Sequence, residues 1–467
     1  MAFIPRELRG IRRIGYTSGN FGLNLSNLLI SVFAFQFYVY TVNLDSLLVS
    51  IGISMNLIIG AIFSIVFGVV ADNKKPGMFG KRRPLLIYGL PIWLMTCIAI
   101  WTPPWYCPEN NSMFWPTAFY FWIVLGINSI SGALLLSAHS SMLPEQSQTS
   151  ENRKRVASSI TFFVITASII SMMIPLIVES ILEDPENVKW WQPSGTVLLF
   201  YMPIIAIGFA VFALISVLFT FFSVDESFHK RASRKITKTK SLKATFQQML
   251  VPTKDKNYSK YLGATLFNSV AGKILGVLII PFLTYVLKFR DSDFFIYIVV
   301  SIFCKYAWYY AWRLILNKSG LKRTYMICMT TSALVSFLEL IFLFEILNFE
   351  IKIVLFIITI GTLLGSVYIF RLFSTPMAAA LVHEAALVND KSNIDIAISN
   401  LSGAYFGSQQ FMMSIGQSIA SLMLGIILTG SNERDAFIIT ISFASMGIFY
   451  LLAVFYLKQV KLKQDSQ

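Results

Sequence analysis

Three basic residues lie deep inside apolar stretches of the chain. Lys273, Lys305 and Arg371 each fall in a run long enough to cross a bilayer, whereas the other Lys and Arg residues flank such runs. A charge at the centre of a membrane helix costs about 2.5 to 3.5 kcal/mol on insertion scales, so it implies a function. Arginine can hold a carboxylate, sulfonate or phosphate through two hydrogen bonds, and lysine offers a mobile point charge. The three residues therefore predict an anion-binding site, with snorkelling toward the membrane surface as the competing explanation.

Composition shows that these runs belong to a membrane protein. Of 467 residues, 55% are hydrophobic and 13% charged, and the mean hydropathy is +0.66, which excludes a water-soluble globule. Apolar stretches of about 20 residues recur without strand-like alternation, so they predict helices. We therefore predict an all-α membrane protein. Its twelve transmembrane helices are expected at residues 18–44, 46–71, 84–102, 114–143, 156–178, 197–223, 261–287, 292–313, 324–347, 353–382, 398–429 and 436–457.

Lysine and arginine are distributed unequally between the two sides of these predicted helices. If the first helix begins in the cytoplasm, 30 of the 38 basic residues lie in inner loops and termini. Five lie in outer loops, namely Lys189, Lys288, Arg290, Lys352 and Arg434. This bias predicts that both termini are cytoplasmic. The net charge of +14 is then explained by contact with anionic lipid of the inner leaflet, and nucleic acid is not an expected partner.

A basic segment divides the predicted helices into six and six. Residues 225–260 contain ten Lys and Arg residues, and we interpret them as a cytoplasmic linker. The predicted organisation is a cytoplasmic segment 1–17, an N-terminal bundle 18–224, the linker, a C-terminal bundle 261–457 and a cytoplasmic tail 458–467. Similar glycine-containing basic loops follow the second and eighth helices, at Gly80 and Gly320. This similarity indicates a duplicated six-helix unit.

The loop after the second helix carries a recognisable motif, formed by Gly68, Asp72, Gly80, Lys81, Arg82 and Arg83. A glycine at the first position permits close helix packing, and the aspartate can pair with basic residues or a helix N-terminus. In this motif the chain resembles the major facilitator superfamily. The resemblance implies a transporter that works by alternating access, with the motif residues in conformational gating.

Further stretches are similar to the glycoside-pentoside-hexuronide:cation symporters, the melibiose-carrier group. They are the long loop before Gly80, Gly15 to Gly22, Leu143 to Glu145, Glu151 to Arg153, and Gly407 to Phe411. The resemblance implies coupling-cation carboxylates on the second helix, but those positions hold Gly60 and Ser64. The family's sugar-binding aspartates fall at Asn24 and Leu136, and its sugar-binding arginine falls at Thr161. No acidic residue lies within the predicted N-terminal helices, which argues against sodium coupling and neutral-sugar recognition of the family type.

Polar side chains at helical spacing supply other candidates. Residues at i, i+4, i+7 and i+11 share one helix face. On the first helix they are Asn20, Asn24, Asn27 and Ser31, and on the eleventh Gln410, Ser414, Gln417 and Ser421. Asn128 on the fourth helix is a further candidate. These residues either bind a polar solute or form interhelical hydrogen bonds worth about 1 kcal/mol each.

The coupling ion is left open by the sequence. A proton could bind Lys273, His139 near the inner end of the fourth helix, or Glu339 in the ninth. Glu339 could instead neutralise one of the intramembrane cations in an ion pair. Sodium coupling, exchange and facilitated diffusion are the other possibilities.

These observations predict a secondary active transporter of a small polar organic solute, either an acidic sugar derivative or another organic anion. The alternatives are a carrier of lysolipid or another amphiphile, and a neutral sugar:cation symporter. An enzyme is not expected, because His139, His229 and His383 lie far apart without metal-ligand spacing. We expect no cofactor, a monomer, and a location in the plasma membrane.

Overall fold

A computed structural model of the chain describes residues 7–73, 79–80, 82–147, 150–226, 251–344, 348–389 and 394–461. Lys81 and the side chains of Asp72 and Arg371 lie outside the described residues. The secondary structure of the described part is helical, and the predicted all-α fold class is confirmed. Contacts divide the chain into two compact units, residues 1–242 and 243–467. The division falls within the predicted linker 225–260.

The first unit contains six long helices. They are α1 (Gly10–Gln36), α2 (Ser46–Asn73), α3 (Arg83–Ala99), α4 (Trp115–Gln146), α5 (Ser150–Glu179) and α6 (Pro193–Ser223). Helices form here because lipid offers no hydrogen-bond partners, so each backbone N–H and C=O must be bonded within its own segment. Within the unit, α1 packs against α5 and α6, while α4 packs against α2 and α3.

The second unit repeats this arrangement. Its helices are α7 (Lys256–Pro281), α8 (Asp293–Ser319), α9 (Leu321–Leu338), α10 (Phe349–Asn389), α11 (Ile394–Ile427), α12 (Ala436–Ala444) and α13 (Met446–Lys458). A single turn, Val251–Lys254, precedes α7, and α12 and α13 together form one span, Ala436–Lys458. Helix α7 packs against α11 and α13, as α1 packs against α5 and α6.

Eleven of the described helical stretches are long and apolar enough to cross a membrane. The remaining predicted span corresponds to α3, which is a shorter apolar helix. Several helices extend past the apolar stretch on the predicted cytoplasmic side: α1 begins at Gly10, α7 at Lys256, and α10 continues to Asn389. Hydropathy finds only the part of a helix that lies in lipid, so these polar extensions were not predicted.

Glycines on α1 bring it close to α6. A Cβ atom added at Gly22 would lie 2.7 Å from Cα of Ala213, and added Cβ atoms at Gly15 and Gly19 would overlap Ser223 and Thr220. The Thr220 hydroxyl also donates to the Gly15 carbonyl at 2.9 Å. Small residues of this kind let two helix backbones approach inside a membrane.

The first helix of each unit ends in the same way. Helix α1 continues into a π-helical turn, Phe37–Thr41, and α7 continues into Phe282–Val286. The chain then turns through a non-glycine residue with positive φ, Asn43 at 68° and Lys288 at 55°. The shared irregularity is structural support for the duplication that the loop sequences indicate.

The loop between α5 and α6 docks on the π-helical turn of α1. Lys189 Nζ donates to the Val39 carbonyl at 3.0 Å, and the backbone N–H of Trp190 donates to the Thr41 carbonyl at 2.8 Å. The Trp190 indole donates to the Cys107 carbonyl at 2.8 Å. The first two bonds satisfy carbonyl groups at the end of α1, as helix ends require, and the third joins this loop to the loop between α3 and α4.

Candidate functional site

One face of α1 is partly accessible and carries the three predicted asparagines, which we name the amide stripe. Asn20, Asn24 and Asn27 are each half-buried, whereas Gly22 and Leu23 between them are buried. In the most apolar 18-residue stretch of α1, 67% of the residues are buried, a larger share than in any other candidate span of the first unit. The stripe is therefore a polar exception on a largely enclosed helix.

Hydrogen bonds within the stripe leave one donor unused. The Asn24 amide nitrogen donates to the Asn20 carbonyl at 2.7 Å. The Asn20 amide nitrogen is buried and has no hydrogen-bond partner among the described residues. A buried donor without a partner costs about 1 to 3 kcal/mol, so a ligand acceptor at this position would be favourable.

Two other candidates of the first unit have different surroundings. Asn128 on α4 is buried, and its amide nitrogen donates to Thr96 Oγ1 at 3.1 Å and to Cys97 Sγ at 3.2 Å. It thereby links α4 to α3. Thr161 is exposed on α5. The structure thus gives Asn128 a role in interhelical bonding.

Lys273 lies in the middle of α7 and is 7% exposed. In the most apolar 18-residue stretch of α7, 78% of the residues are buried, the highest share among the candidate spans of the described part. A lysine on this helix is therefore enclosed by the protein. It is the strongest candidate for a charge that acts on a ligand.

Lys305 is buried on α8 beside a tight helix crossing. It is 4% exposed, and its neighbours Cys304 and Trp308 pack against two glycines of α10. A Cβ atom at Gly361 would lie 2.7 Å from Cys304 Sγ, and one at Gly365 would overlap Trp308. The glycines give α10 the close approach that holds this part of α8 in place. The Arg371 side chain, one of the three predicted cations, lies outside the described residues.

Glu339 does not neutralise either lysine. It begins a 3-10 turn, Glu339–Leu343, and is fully buried. Thr359 lies beside its carboxyl group, but neither carboxyl oxygen has a hydrogen-bond partner among the described residues. Glu339 therefore pairs with neither Lys273 nor Lys305, and its pairing with Arg371 stays a prediction, since that side chain lies outside the described residues.

The predicted stripe of α11 is less regular than that of α1. Gln410 is exposed and Gln417 half-buried, whereas Ser414 is buried. The preceding residue, Gln409, points inward and donates to the Tyr261 hydroxyl of α7 at 2.9 Å. Polar residues of α11 therefore divide between an accessible face and the contact with α7.

The loop between α2 and α3 is held by a carboxylate that the sequence did not reveal. Glu226, three residues beyond α6, is 1% exposed and accepts from the backbone N–H of Arg82 at 2.9 Å and of Arg83 at 3.2 Å. The Arg83 guanidinium lies 4.2 Å from the centre of the Phe221 ring. A carboxylate at the N-terminus of α3 is favoured by the helix dipole. We name this contact the Glu226 clamp.

The glycines of the motif differ in their roles. Gly80 has a φ of 96°, and an added Cβ would collide with Glu226, so the clamp requires glycine there. At Gly68 an added Cβ would meet no atom within 4 Å. The expectation that Gly68 permits close helix packing is therefore wrong within the described residues. Asp72 (side chain) and Lys81 of the same motif lie outside them.

His139 is engaged with α1. Its Nε2 lies 2.9 Å from the Tyr16 carbonyl oxygen, the Tyr16 hydroxyl donates to the His139 carbonyl at 2.9 Å, and the two rings stack at 4.5 Å. Because a carbonyl only accepts, Nε2 must carry a hydrogen. These reciprocal bonds give His139 a clear role in joining α4 to α1.

Glu179 is a buried carboxyl group of the first unit that lies one residue beyond the predicted fifth span. The predicted fifth span ends at residue 178, but α5 continues to Glu179, which is 3% exposed. The amide of Gln36, the last residue of α1, donates to Glu179 Oε1 at 3.0 Å. The expectation that the N-terminal spans contain no acidic residue is therefore wrong. Continuing the helical face past the apolar stretch would have found Glu179.

The sequence matches a known protein family over nearly its whole length. Residues 15–462 match the family model described as MFS/sugar transport protein. The chain belongs to this family. No curated protein matches the chain in sequence.

Solved structures of the family's wider superfamily share this fold. The nucleoside transporter NupG has a TM-score of 0.63 at 13% identity, over 97% of this chain and 100% of that one. The xylose transporter XylE from E. coli has a TM-score of 0.64 at 13% identity, over 97% and 98%. A bacterial homologue of the human lysosomal transporter Spinster has a TM-score of 0.59 at 12% identity, over 96% of both chains.

The family and the fold establish the broad class. The protein is a multi-pass integral membrane protein with the twelve-helix major facilitator fold, and it is a transporter of small molecules, not an enzyme. Among the described residues, no group of three or more His, Cys, Asp or Glu side chains could hold a metal ion.

Proposed function

We propose that this protein is a secondary active transporter, working by alternating access, for a small polar organic solute with a negative charge. An acidic sugar derivative, such as a hexuronide, is the substrate that fits best. The family description supports a sugar, and the charge is inferred from the lysines of the second unit. Acting on such a solute, the transporter belongs in the plasma membrane.

The burial of Lys273 carries the proposal. A cation enclosed at the middle of the most buried span is costly unless it serves a ligand or a structural partner. A carboxylate on the solute would supply a charge-assisted hydrogen bond, which is worth about 1.5 to 3 kcal/mol.

Amide groups are proposed to contribute the rest of the recognition. Asn20, Asn24 and Asn27 in the first unit, and Gln410, Ser414 and Gln417 in the second, can donate to and accept from sugar hydroxyls. Such groups hold a neutral part of a solute as readily as a charged one. Lys273 and Lys305, with Arg371 on α10, are proposed to select the charge.

Ligand-induced thermal stabilisation tests this assignment. The purified protein is heated with methyl glucoside or with methyl glucuronide, which differ only in the carboxylate. We expect stabilisation by the glucuronide alone, and its loss in Lys273→Gln and weakening in Lys305→Gln. Lys318→Gln, at the exposed end of α8, is the matched control and should behave as wild type. Equal stabilisation by both ligands, unchanged in the lysine variants, would contradict the proposal and favour a neutral sugar.

A competition assay separates a solute carrier from an amphiphile carrier. Excess free glucuronate or glycerophosphate should displace the stabilising ligand from a carrier of water-soluble solutes. A lysolipid carrier would respond to lysolipid and scarcely to the headgroup alone, because most of its affinity would come from the buried chain.

A further inference from the structure

A buried carboxyl group lies between α5 and α1, beside an amide. Glu179 is 3% exposed and Gln36 is 8% exposed, so water scarcely reaches the pair. Among the described residues, no Lys, Arg or His side chain forms an ion pair with Glu179. An isolated buried carboxylate is very unfavourable, and such groups take up a proton instead.

The hydrogen bonds of the pair show what is missing. The Gln36 amide N–H donates to Glu179 Oε1 at 3.0 Å. Glu179 Oε2 and Gln36 Oε1 are both buried without a hydrogen-bond partner in the described part of the chain. Both atoms are acceptors when the carboxyl is ionised, so neither can satisfy the other. One proton on Oε2 supplies the donor that the pair lacks.

The helices around the pair carry their charges elsewhere. On α1 the basic residues Arg12 and Arg13 are at the inner end, and α6 contains no Asp, Glu, Lys, Arg or His. On α5 the basic residues lie in the first two turns. In the loop that follows, Lys189 donates from Nζ to the Val39 carbonyl. The phenol of Tyr38 donates to the Ile100 carbonyl at 2.8 Å.

The pair also lies where α1 is irregular. Gln36 is the last α-helical residue before the π-helical turn Phe37–Thr41. Helices change their hydrogen-bonding register most readily at such turns, which are frequent at functional sites. A shift at this turn would withdraw the Gln36 amide and admit water to Glu179. The asparagines proposed to bind solute lie on the same helix.

We propose that Glu179 is the proton-binding group of this transporter and that Gln36 is its positioning residue. The inference rests on the proposed function, since a proton site matters only in a coupled carrier. A proton from water bonds to Glu179 Oε2 in one conformation, is held in the enclosed pair, and returns to water in another. Glu339, another buried carboxyl within a span, begins the 3-10 turn after α9. This turn packs against α12, and neither the turn nor α12 carries a residue proposed to bind solute.

Infrared spectroscopy of the purified full chain tests the proton directly, without a substrate. We expect the C=O stretch of a protonated carboxyl group in wild type at neutral pH, and loss of part of this band in Glu179→Gln. Glu183→Gln, an exposed carboxyl four residues along, is the control and should leave the band intact. An unchanged band in Glu179→Gln would overturn the proposal.

Transport in proteoliposomes tests coupling, with radiolabelled glucuronate as the probe. With one proton per solute, a difference of about one pH unit supports about tenfold accumulation. Glu179→Gln, which has the shape of the protonated acid, should lose this accumulation and only equilibrate, yet keep exchange of internal for external glucuronate. Retained exchange also shows that the variant is folded.

Other results are equally decisive. Normal accumulation by Glu179→Gln, or loss of accumulation in Glu339→Gln instead, would overturn the assignment to Glu179. If wild type does not transport glucuronate, the proposed solute is wrong, and the infrared band alone then decides whether Glu179 holds a proton.

Discussion

The first helices of the two units share a backbone design and differ in chemistry. Helices α1 and α7 are the most buried spans of their units, at 67% and 78%, and both end in a π-helical turn. Yet α1 presents the amides of Asn20, Asn24 and Asn27, whereas α7 encloses the ammonium group of Lys273. The two helices therefore share their backbone geometry while their polar side chains differ.

The inner loops show a second contrast between the units. In the first, the Glu226 clamp accepts backbone N–H groups of the loop after α2. In the second, Lys322 at the start of α9 donates from Nζ to the carbonyls of Lys458 at 3.1 Å and Val460 at 2.6 Å. The same loop is thus tied to the unit's last span by bonds of opposite polarity. Gly80 and Gly320 both have positive φ, 96° and 76°.

The largest effect that we predict concerns the packing of α1 and α7 against their neighbouring helices. In the first unit, Gly22 of α1 allows the close approach of α1 to α6. In the second unit, Gly416 of α11 allows the close approach of α11 to α7. A Cβ atom added at Gly416 would lie 2.5 Å from the Leu266 carbonyl oxygen of α7. Gly22→Ala and Gly416→Ala should each lower stability by about 1 to 3 kcal/mol, as overpacking does. Thermal unfolding in detergent measures this.

Each unit provides its own control for that prediction. Added Cβ atoms at Gly208 on α6 and Gly276 on α7 would meet nothing within 4 Å. Gly208→Ala and Gly276→Ala should therefore leave the unfolding temperature unchanged or raise it slightly, because alanine favours a helix. Destabilisation by all four substitutions would show that glycine serves flexibility and not close packing.

The Glu226 clamp and the hydrogen bonds of Lys322 should differ in strength. Glu226→Gln should cost about 1 to 2 kcal/mol, because a buried carboxylate loses its charge-assisted bonds to the N-terminus of α3. Lys322→Gln should cost less than about 1 kcal/mol, since Lys322 is partly solvated. Thermal unfolding of the two variants, with Glu7→Gln at the exposed Arg9 ion pair as a control, gives the comparison. Equal costs would remove the contrast between the loops.

The last prediction concerns ligand binding by the amides of α1. Asn24→Ala should weaken binding of methyl glucoside and methyl glucuronide alike, by about 0.5 to 1.5 kcal/mol, because an amide does not select charge. Ligand-dependent thermal shifts report the change. A loss confined to the glucuronide would assign charge selection to α1 and end the proposed division between the helices.

Much of the fold was predictable because the membrane imposes strong constraints. The number of spans and the helical class follow from apolar runs that must satisfy their own backbone. The burial of Lys273 and Lys305 also follows from their position within such runs. The helix ends were predicted less well, since polar residues beyond the lipid carry no hydropathy signal, and Glu179 was missed for this reason.

Individual contacts were not predictable from spacing. Asn128 has the same chemistry as Asn24, but it bonds to Thr96 and Cys97 on α3. Glu226 was included in a basic linker, although it is 1% exposed and bonded to α3. Nothing in the sequence near either residue names its partner, because those partners are brought close only by the packing of other helices.

The sequence by itself determined that this is a helical membrane protein of the major facilitator type with cations inside its second half. Those properties depend on local composition and periodicity, which a single chain displays. Only the tertiary structure decided which polar groups are satisfied within a unit and which are not. Hydrogen bonding depends on distances of about 3 Å between residues far apart in sequence, such as Gln36 and Glu179, and packing alone sets those distances.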